Sequence, residues 1–168
     1  RSTVAEEKVV RALINGVQAV DTLIVDFVAG SLSLLESGIR GDKDPVTADG
    51  VDQLIVTVTA RDTYGNPVEG AAVDLLVSGS GNTITDPGVT NSDGVAVGYL
   101  RSMVAEQKTV SVLINEGLAD STLTVDFVAG PSSPSESEVI GDKTEITADG
   151  ADQLEVTVTV RAANGNPV

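Results

Sequence analysis

Apolar and polar side chains alternate along most of this chain. Across 53–61, Leu54, Val56 and Val58 share one face while Thr57 and Thr59 share the other. A period of two in β-branched residues predicts a half-buried strand. The same rule turns Val73, Leu75 and Val77 inward across 71–78, with Asp74 outward. It turns Val110, Val112 and Ile114 inward across 108–115, and Leu123, Val125 and Phe127 inward across 121–128, with Thr124 and Asp126 outward. These twelve apolar residues are the expected core. A first strand near 32–40 and a weak one near 83–85 complete the pattern with 95–101. In that last strand Val95/Val97/Tyr99 and Ala96/Gly98/Leu100 are equally plausible inner faces.

Turn chemistry separates these segments. Asp62-Thr63-Tyr64-Gly65-Asn66-Pro67, Ser78-Gly79-Ser80-Gly81-Asn82, Asn91-Ser92-Asp93-Gly94 and Glu116-Gly117 supply residues that tolerate positive φ or block strand continuation. About seven short strands with a turn every 8–12 residues are the signature of a β-sandwich. No window sustains a 3.6-residue period.

The chain also matches itself at an offset of 100 residues. Val25-Asp26-Phe27-Val28-Ala29-Gly30 returns unchanged as Val125-Asp126-Phe127-Val128-Ala129-Gly130, Thr47-Ala48-Asp49-Gly50 as Thr147-Ala148-Asp149-Gly150, and Gly65-Asn66-Pro67-Val68 as Gly165-Asn166-Pro167-Val168. Roughly 60% of overlapping positions are identical, which means a structural repeat. Pro131-Ser132-Ser133-Pro134-Ser135 reads as the linker, and its counterpart starts at Ser31. The expected organisation is one complete module at 31–130. The tail of a preceding module occupies 1–30 and the head of a following one 131–168. The chain is thus expected to be a window on a longer array of modules stacked end to end. The copies also check the phase: Ile55 becomes Glu155, so that position faces water.

Composition narrows the function. Lys+Arg number 10 against Asp+Glu 25, a net charge of −15, which opposes binding to nucleic acid or an anionic membrane. Hydrophobic residues make up 41%, enough to offset the entropy of ordering. Aromatic residues are confined to Phe27, Phe127, Tyr64 and Tyr99, so the core must be aliphatic. The chain has no Cys, His or Trp, which removes disulfides, thiolate and imidazole metal sites and imidazole catalysis. No run of 18 apolar residues predicts a membrane span.

The spacing Thr47-Ala48-Asp49-Gly50, then Asp62-Thr63-Tyr64-Gly65-Asn66-Pro67-Val68, then Asn91-Ser92-Asp93-Gly94 resembles the bacterial immunoglobulin-like domain of group one, the module repeated in intimin- and invasin-type adhesins. The resemblance covers 31–130 and recurs in the partial copies. It implies an all-β, immunoglobulin-like module in a cell-surface or secreted bacterial protein. The expected role is a stalk or spacer whose partners are the neighbouring modules. The alternative is a binding or self-assembling module that contacts another surface or filament subunit. The second copy departs from the pattern, with Ala162 where Asp62 stands.

Candidate chemistry is sparse. A Ser–Lys pair would need Lys8, Lys43, Lys108 or Lys143 desolvated beside a serine, and nothing in the spacing suggests one. No enzymatic function is expected. The acids Asp42, Asp44, Asp49 and Asp52, echoed in Asp142, Asp149 and Asp152, are candidate calcium ligands, because calcium takes six to eight oxygens. The competing reading is plain turn chemistry, and Thr144 in place of Asp44 favours it.

Overall fold

The computed structural model describes all 168 residues, and every regular element in it is a strand. In chain order these are β1 Glu6–Ile14, β2 Val17–Phe27, β3 Leu32–Gly41, β4 Val46–Thr47, β5 Leu54–Asp62, β6 Ala72–Val77, β7 Asn82–Thr85, β8 Gly88–Val89, β9 Val95–Ser102, β10 Gln107–Ile114, β11 Gly117–Val128, β12 Glu138–Gly141 and β13 Val156–Thr159. The nine from β3 to β11 form two sheets. One has the order β3-β5-β9-β7 and the other β4-β11-β10-β6-β8. The seven expected strands are all present. The two-residue β4 and β8 are additions that finish the edges of the second sheet, β4 pairing parallel to β11.

The core lies between these sheets. Leu54, Val56, Val58, Val73, Leu75, Val110, Val112, Ile114, Val125 and Phe127 are buried, whereas Val77 and Leu123 are only partly covered at the rim. Asp74 and Asp126 are exposed and Ile55 is half-buried, so the phase read from the sequence holds. In β9 the inner face is Ala96, Gly98 and Leu100. The reason is a close backbone crossing: a Cβ on Gly98 would sit 2.7 Å from the Thr85 carbonyl oxygen and 2.9 Å from Pro87. Val97 and Tyr99 therefore face solvent.

Local side-chain chemistry repairs the irregular places. The pairing of β3 with β5 slips between Ser33 and Gly38. Ser37 lies in that bulge, its hydroxyl donating to the Ser33 carbonyl (2.7 Å) and accepting from the Arg61 amide (3.0 Å). The β10–β11 hairpin turns at Asn115 and Glu116, one residue earlier than the sequence suggests. Both have positive φ, 49° and 67°, as a two-residue hairpin loop of primed type requires. Asn115 tolerates this, and its side chain accepts the Ala72 amide at 2.9 Å. Glu116 carries a left-handed conformation that favours glycine.

The lysines hold a surprise. Lys108 shares the inward phase of Val110 and is wholly buried. Its Nζ donates to Glu106 Oε1 (2.7 Å) and the Ser80 carbonyl (2.9 Å), and stands 5.6 Å from the centre of the Phe127 ring. The same Glu106 oxygen accepts the Ser80 amide at 2.8 Å. Lys108, followed by that amide, holds the Glu106 carboxyl below its usual range. Gly79 makes room: a Cβ there would fall 2.1 Å from Glu106 Oε1. The pair plugs one end of the core and fixes loop 78–82. The lysine contacts the Ser80 carbonyl, not a serine hydroxyl.

Two hairpins flank the sandwich. The β1–β2 register (Lys8↔Val25, Val10↔Leu23, Leu13↔Gln18) repeats that of β10–β11 (Lys108↔Val125, Val110↔Leu123, Leu113↔Leu118) with the same irregularity. The β12–β13 register repeats β3–β5 from Gly38↔Thr59 to Gly41↔Val56. The equivalents of core residues are uncovered here: Val10 is 52% exposed against 0% for Val110, and Val158 59% against 0% for Val58.

Val58→Asp strands a charge between the sheets and is expected to cost roughly 4 kcal/mol, read from denaturant unfolding. Glu116→Gly relieves the left-handed turn and is expected to stabilise by ~1 kcal/mol. An unchanged midpoint in the second variant would remove the strain argument.

Candidate functional site

The four acids between β3 and β5 each serve a backbone amide. Asp42 accepts the Ile55 amide at 2.8 Å, while its own amide donates to the Ile55 carbonyl at 3.1 Å. One Asp49 oxygen accepts the amides of Val51 (2.8 Å) and Asp52 (2.7 Å), closing a tight turn. Asp52 accepts the Thr47 amide at 2.9 Å and pairs with Lys43. Asp44 reaches across to the Asp126 amide at 2.9 Å. The Asp52 and Val51 amides hold the Asp49 carboxyl below its usual range, and Lys43, then the Thr47 amide, do so for Asp52. No three acids converge into a group able to hold a metal ion. Asp142, Asp149 and Asp152 repeat these bonds to Glu155, to Ala151 and Asp152, and to Thr147. Thr144 leaves the Asp44 bond without a counterpart.

A more specific arrangement forms where the hairpins meet the sandwich. The turn after β5 closes through Asp62 N to Asn66 O (3.0 Å) and Gly65 N to Asp62 O (3.0 Å). It presents Asn66 to the segment preceding β1. There the Asn66 amide nitrogen donates to the Thr3 carbonyl (2.8 Å) and its oxygen accepts the Ala5 amide (2.8 Å). One hundred residues on, Asn166 donates to the Met103 carbonyl (2.9 Å) and accepts the Ala105 amide (2.9 Å). Its nitrogen also reaches the Ala48 carbonyl at 3.1 Å. The same clamp thus appears twice on equivalent backbone atoms.

Asp62 stands behind the first clamp. It is 1% exposed. One oxygen accepts the amides of Tyr64 (2.8 Å) and Asn66 (2.9 Å). The other accepts the Asn66 side chain (2.9 Å) and the Gly30 amide (2.8 Å) in the short segment that joins β2 to β3. The Asn66 side chain first, and then the Gly30, Asn66 and Tyr64 amides, lower its pKa to about 2 despite burial. Sequence reading saw this segment only as a turn. The available signal was that Gly-Asn-Pro-Val persists in both copies while Asp62, Thr63 and Tyr64 do not. Beside the first clamp lies an open cleft of about 770 Å³. Glu6, Glu7, Asp26 and Glu69 are among its lining residues, a poor setting for an anionic ligand.

Two sheets, antiparallel except for the β4–β11 pair, enclose an aliphatic core and define an immunoglobulin-like sandwich. The chain belongs to the bacterial Ig-like domain (group 1) family, whose model matches residues 36–128. It is 29% identical over 154 residues to the inverse autotransporter adhesin YeeJ of Escherichia coli K12. That match takes in 92% of this chain and 6% of YeeJ, so the chain spans a small fraction of this relative. Among solved structures, the Escherichia coli adhesin FdeC aligns with a TM-score of 0.72 at 27% identity, covering 98% of this chain and 52% of that one. Invasin, a bacterial integrin-binding protein, aligns with a TM-score of 0.69 at 25% identity, covering 98% of this chain and 33% of that one.

Because the folded-state pKa of Asp62 lies below its unfolded value near ~4, its stabilisation is complete above that pH and fades as pH falls toward about 2. Asp62→Ala is therefore expected to lower the melting temperature at pH 7 and to flatten its decline below pH 4. Parallel melting curves for the two proteins across that range would contradict this account. Asn66→Ala removes three side-chain hydrogen bonds, to Thr3, Ala5 and Asp62, and is expected to cost about 1 kcal/mol for each, with faster amide exchange at Ala5.

Proposed function

We propose that this chain is a stretch of spacer from a bacterial surface adhesin, a non-enzymatic stalk in which immunoglobulin-like units follow one another end to end outside the cell. The observation that carries this reading is the repeated asparagine clamp, which grips equivalent backbone atoms one hundred residues apart. The adhesin relatives support it. On this reading residues 1–30 are the end of one unit, 31–130 a whole unit and 131–168 the start of the next. The uncovered apolar faces of β1–β2 and β12–β13 are then the halves of cores that neighbouring sequence completes. Each unit adds roughly 25–30 Å, from ~8 residues per strand at ~3.3 Å each, and the clamps limit bending between units. The partners of the segment are the adjacent units of its own chain.

Small-angle scattering tests the stalk. A compact chain of this length would have a radius of gyration near 15 Å. An end-to-end array gives a clearly larger value and an elongated profile. A compact profile would sink the reading, and concentration-dependent association would point instead to a self-assembling subunit.

For the loop acids Asp42, Asp44, Asp49 and Asp52, we propose amide capping in preference to calcium binding, because each carboxylate already serves an amide. Melting temperatures in excess calcium and in chelator are expected to coincide. A rise with calcium would establish a site, since binding only the folded state must raise the midpoint.

One feature favours direct binding as a second reading. On the outer face of the β3-β5-β9-β7 sheet, Gln53, Thr83, Thr85, Tyr99 and Arg101 line a pocket of about 240 Å³. Arg101 is braced by Gln53 through Nε (3.2 Å) and Nη2 (2.7 Å). If that pocket takes a ligand, Tyr99→Ala would reduce adhesion by the intact protein without changing its stability.

A further inference from the structure

The asparagine clamp makes its hydrogen bonds to backbone atoms of the segment it grips. Asn66 meets a carbonyl and an amide at Thr3 and Ala5, and Asn166 meets the same groups at Met103 and Ala105. Such a clamp is blind to sequence and would join any two units of the repeat. The residue four positions before it is different. Asp62 has one carboxylate oxygen on both the clamp and the segment that joins β2 to β3, bonded to Asn66 Nδ2 at 2.9 Å and to the Gly30 amide at 2.8 Å. Ala162 occupies the matching place in the second copy and is also buried, yet a methyl group accepts nothing.

We infer that Asp62 is a unit-specific lock laid over a sequence-blind clamp, so that the junction it serves bends less than the one served by Ala162. This inference rests on the stalk reading above and adds a gradation of stiffness to it. The physical basis is connectivity. At the first junction the connecting segment at Gly30 is tied to the turn of the next unit by a part-buried bond to a carboxylate, and a hydrogen bond to a charged group is stronger than a neutral one. The four bonds to Asp62 also fix the turn that carries Asn66. At the second junction, Asn166 divides its amide nitrogen between the Met103 and Ala48 carbonyls, and Asn164 adds a long bond of 3.4 Å to Ala48. Both of those grip the end of the preceding unit. Neither holds the crossing at Gly130. Pro131 restricts the backbone of Gly130 locally, but it does not join that backbone to the turn.

The chain has no cysteine, so labelled pairs can be placed cleanly. Spin labels at Val20→Cys and Leu35→Cys span the first junction, and at Leu35→Cys and Glu155→Cys the second; all three positions are exposed. The expected result is a narrower distance distribution across the first. Asp62→Ala should broaden it to match the second, and the reciprocal Ala162→Asp should narrow the second. Amide exchange gives an independent readout. Gly30 should be protected and lose that protection in Asp62→Ala, and Gly130 should gain protection in Ala162→Asp. Two equally narrow distributions, with Gly30 exchanging as fast as Gly130, would overturn the lock and leave the stalk standing. Two equally broad distributions would overturn both.

Discussion

A backbone amide shut away from water must find an acceptor. Sheet ladders meet that demand only along the strands. At several bends, bulges and crossings of this chain a side-chain oxygen supplies what the ladder cannot. Ser37 fills the β3 bulge, and Thr90 accepts the Ala71 amide and donates to the Val68 carbonyl. Asp86 accepts the Leu75 amide, and Asn91 accepts the amides of Asp93 and Val95. The acids between β3 and β5 do the same. This gives part of the acidic excess a structural meaning. Many carboxylates are acceptors for amides, which can only donate, and a lysine or arginine could not replace them.

The junction uses the same chemistry between parts of the chain that lie far apart in sequence. Asparagine suits the clamp because its side chain both donates and accepts, so one residue satisfies an amide and a carbonyl together. Aspartate suits the place behind it because two oxygens can gather four donors. The lowered pKa of Asp62 follows from that gathering: every partner favours the charged form, and together they outweigh burial. The two residues divide the work. One grips, and the other ties the grip to the segment that joins β2 to β3.

The core tolerates one charge for a related reason. Lys108 is wholly buried, yet its ammonium group has a carboxylate, a carbonyl and an aromatic face. A buried ion is stable only when so surrounded. Lys8, its counterpart in the first hairpin, pairs with Glu6 in the same way but is 39% exposed, because no second sheet covers it here. The comparison separates what the strand encodes from what the sandwich adds.

Alternation of apolar and polar residues determined, from the sequence alone, seven strands and ten buried core residues, and the 100-residue repeat showed which hairpins share one register. These are local or periodic properties, since a side chain's face follows from its position along its own strand. The inner face of β9 was open because both of its faces are apolar or small, and only the crossing of Thr85 and Pro87 over Gly98 chose between them. Val77 and Leu123 have the period of core residues but are only partly buried against it. Lys108 has the right period for burial and the wrong chemistry, and one of its partners, the Ser80 carbonyl, comes from a loop that no strand pattern places. The clamp was hidden most completely. Asn66 and Asn166 look like ordinary turn residues, and their work appears only when segments about sixty positions apart in sequence meet. Periodicity reports which way a side chain points, whereas contact between distant segments depends on how the whole chain is wound.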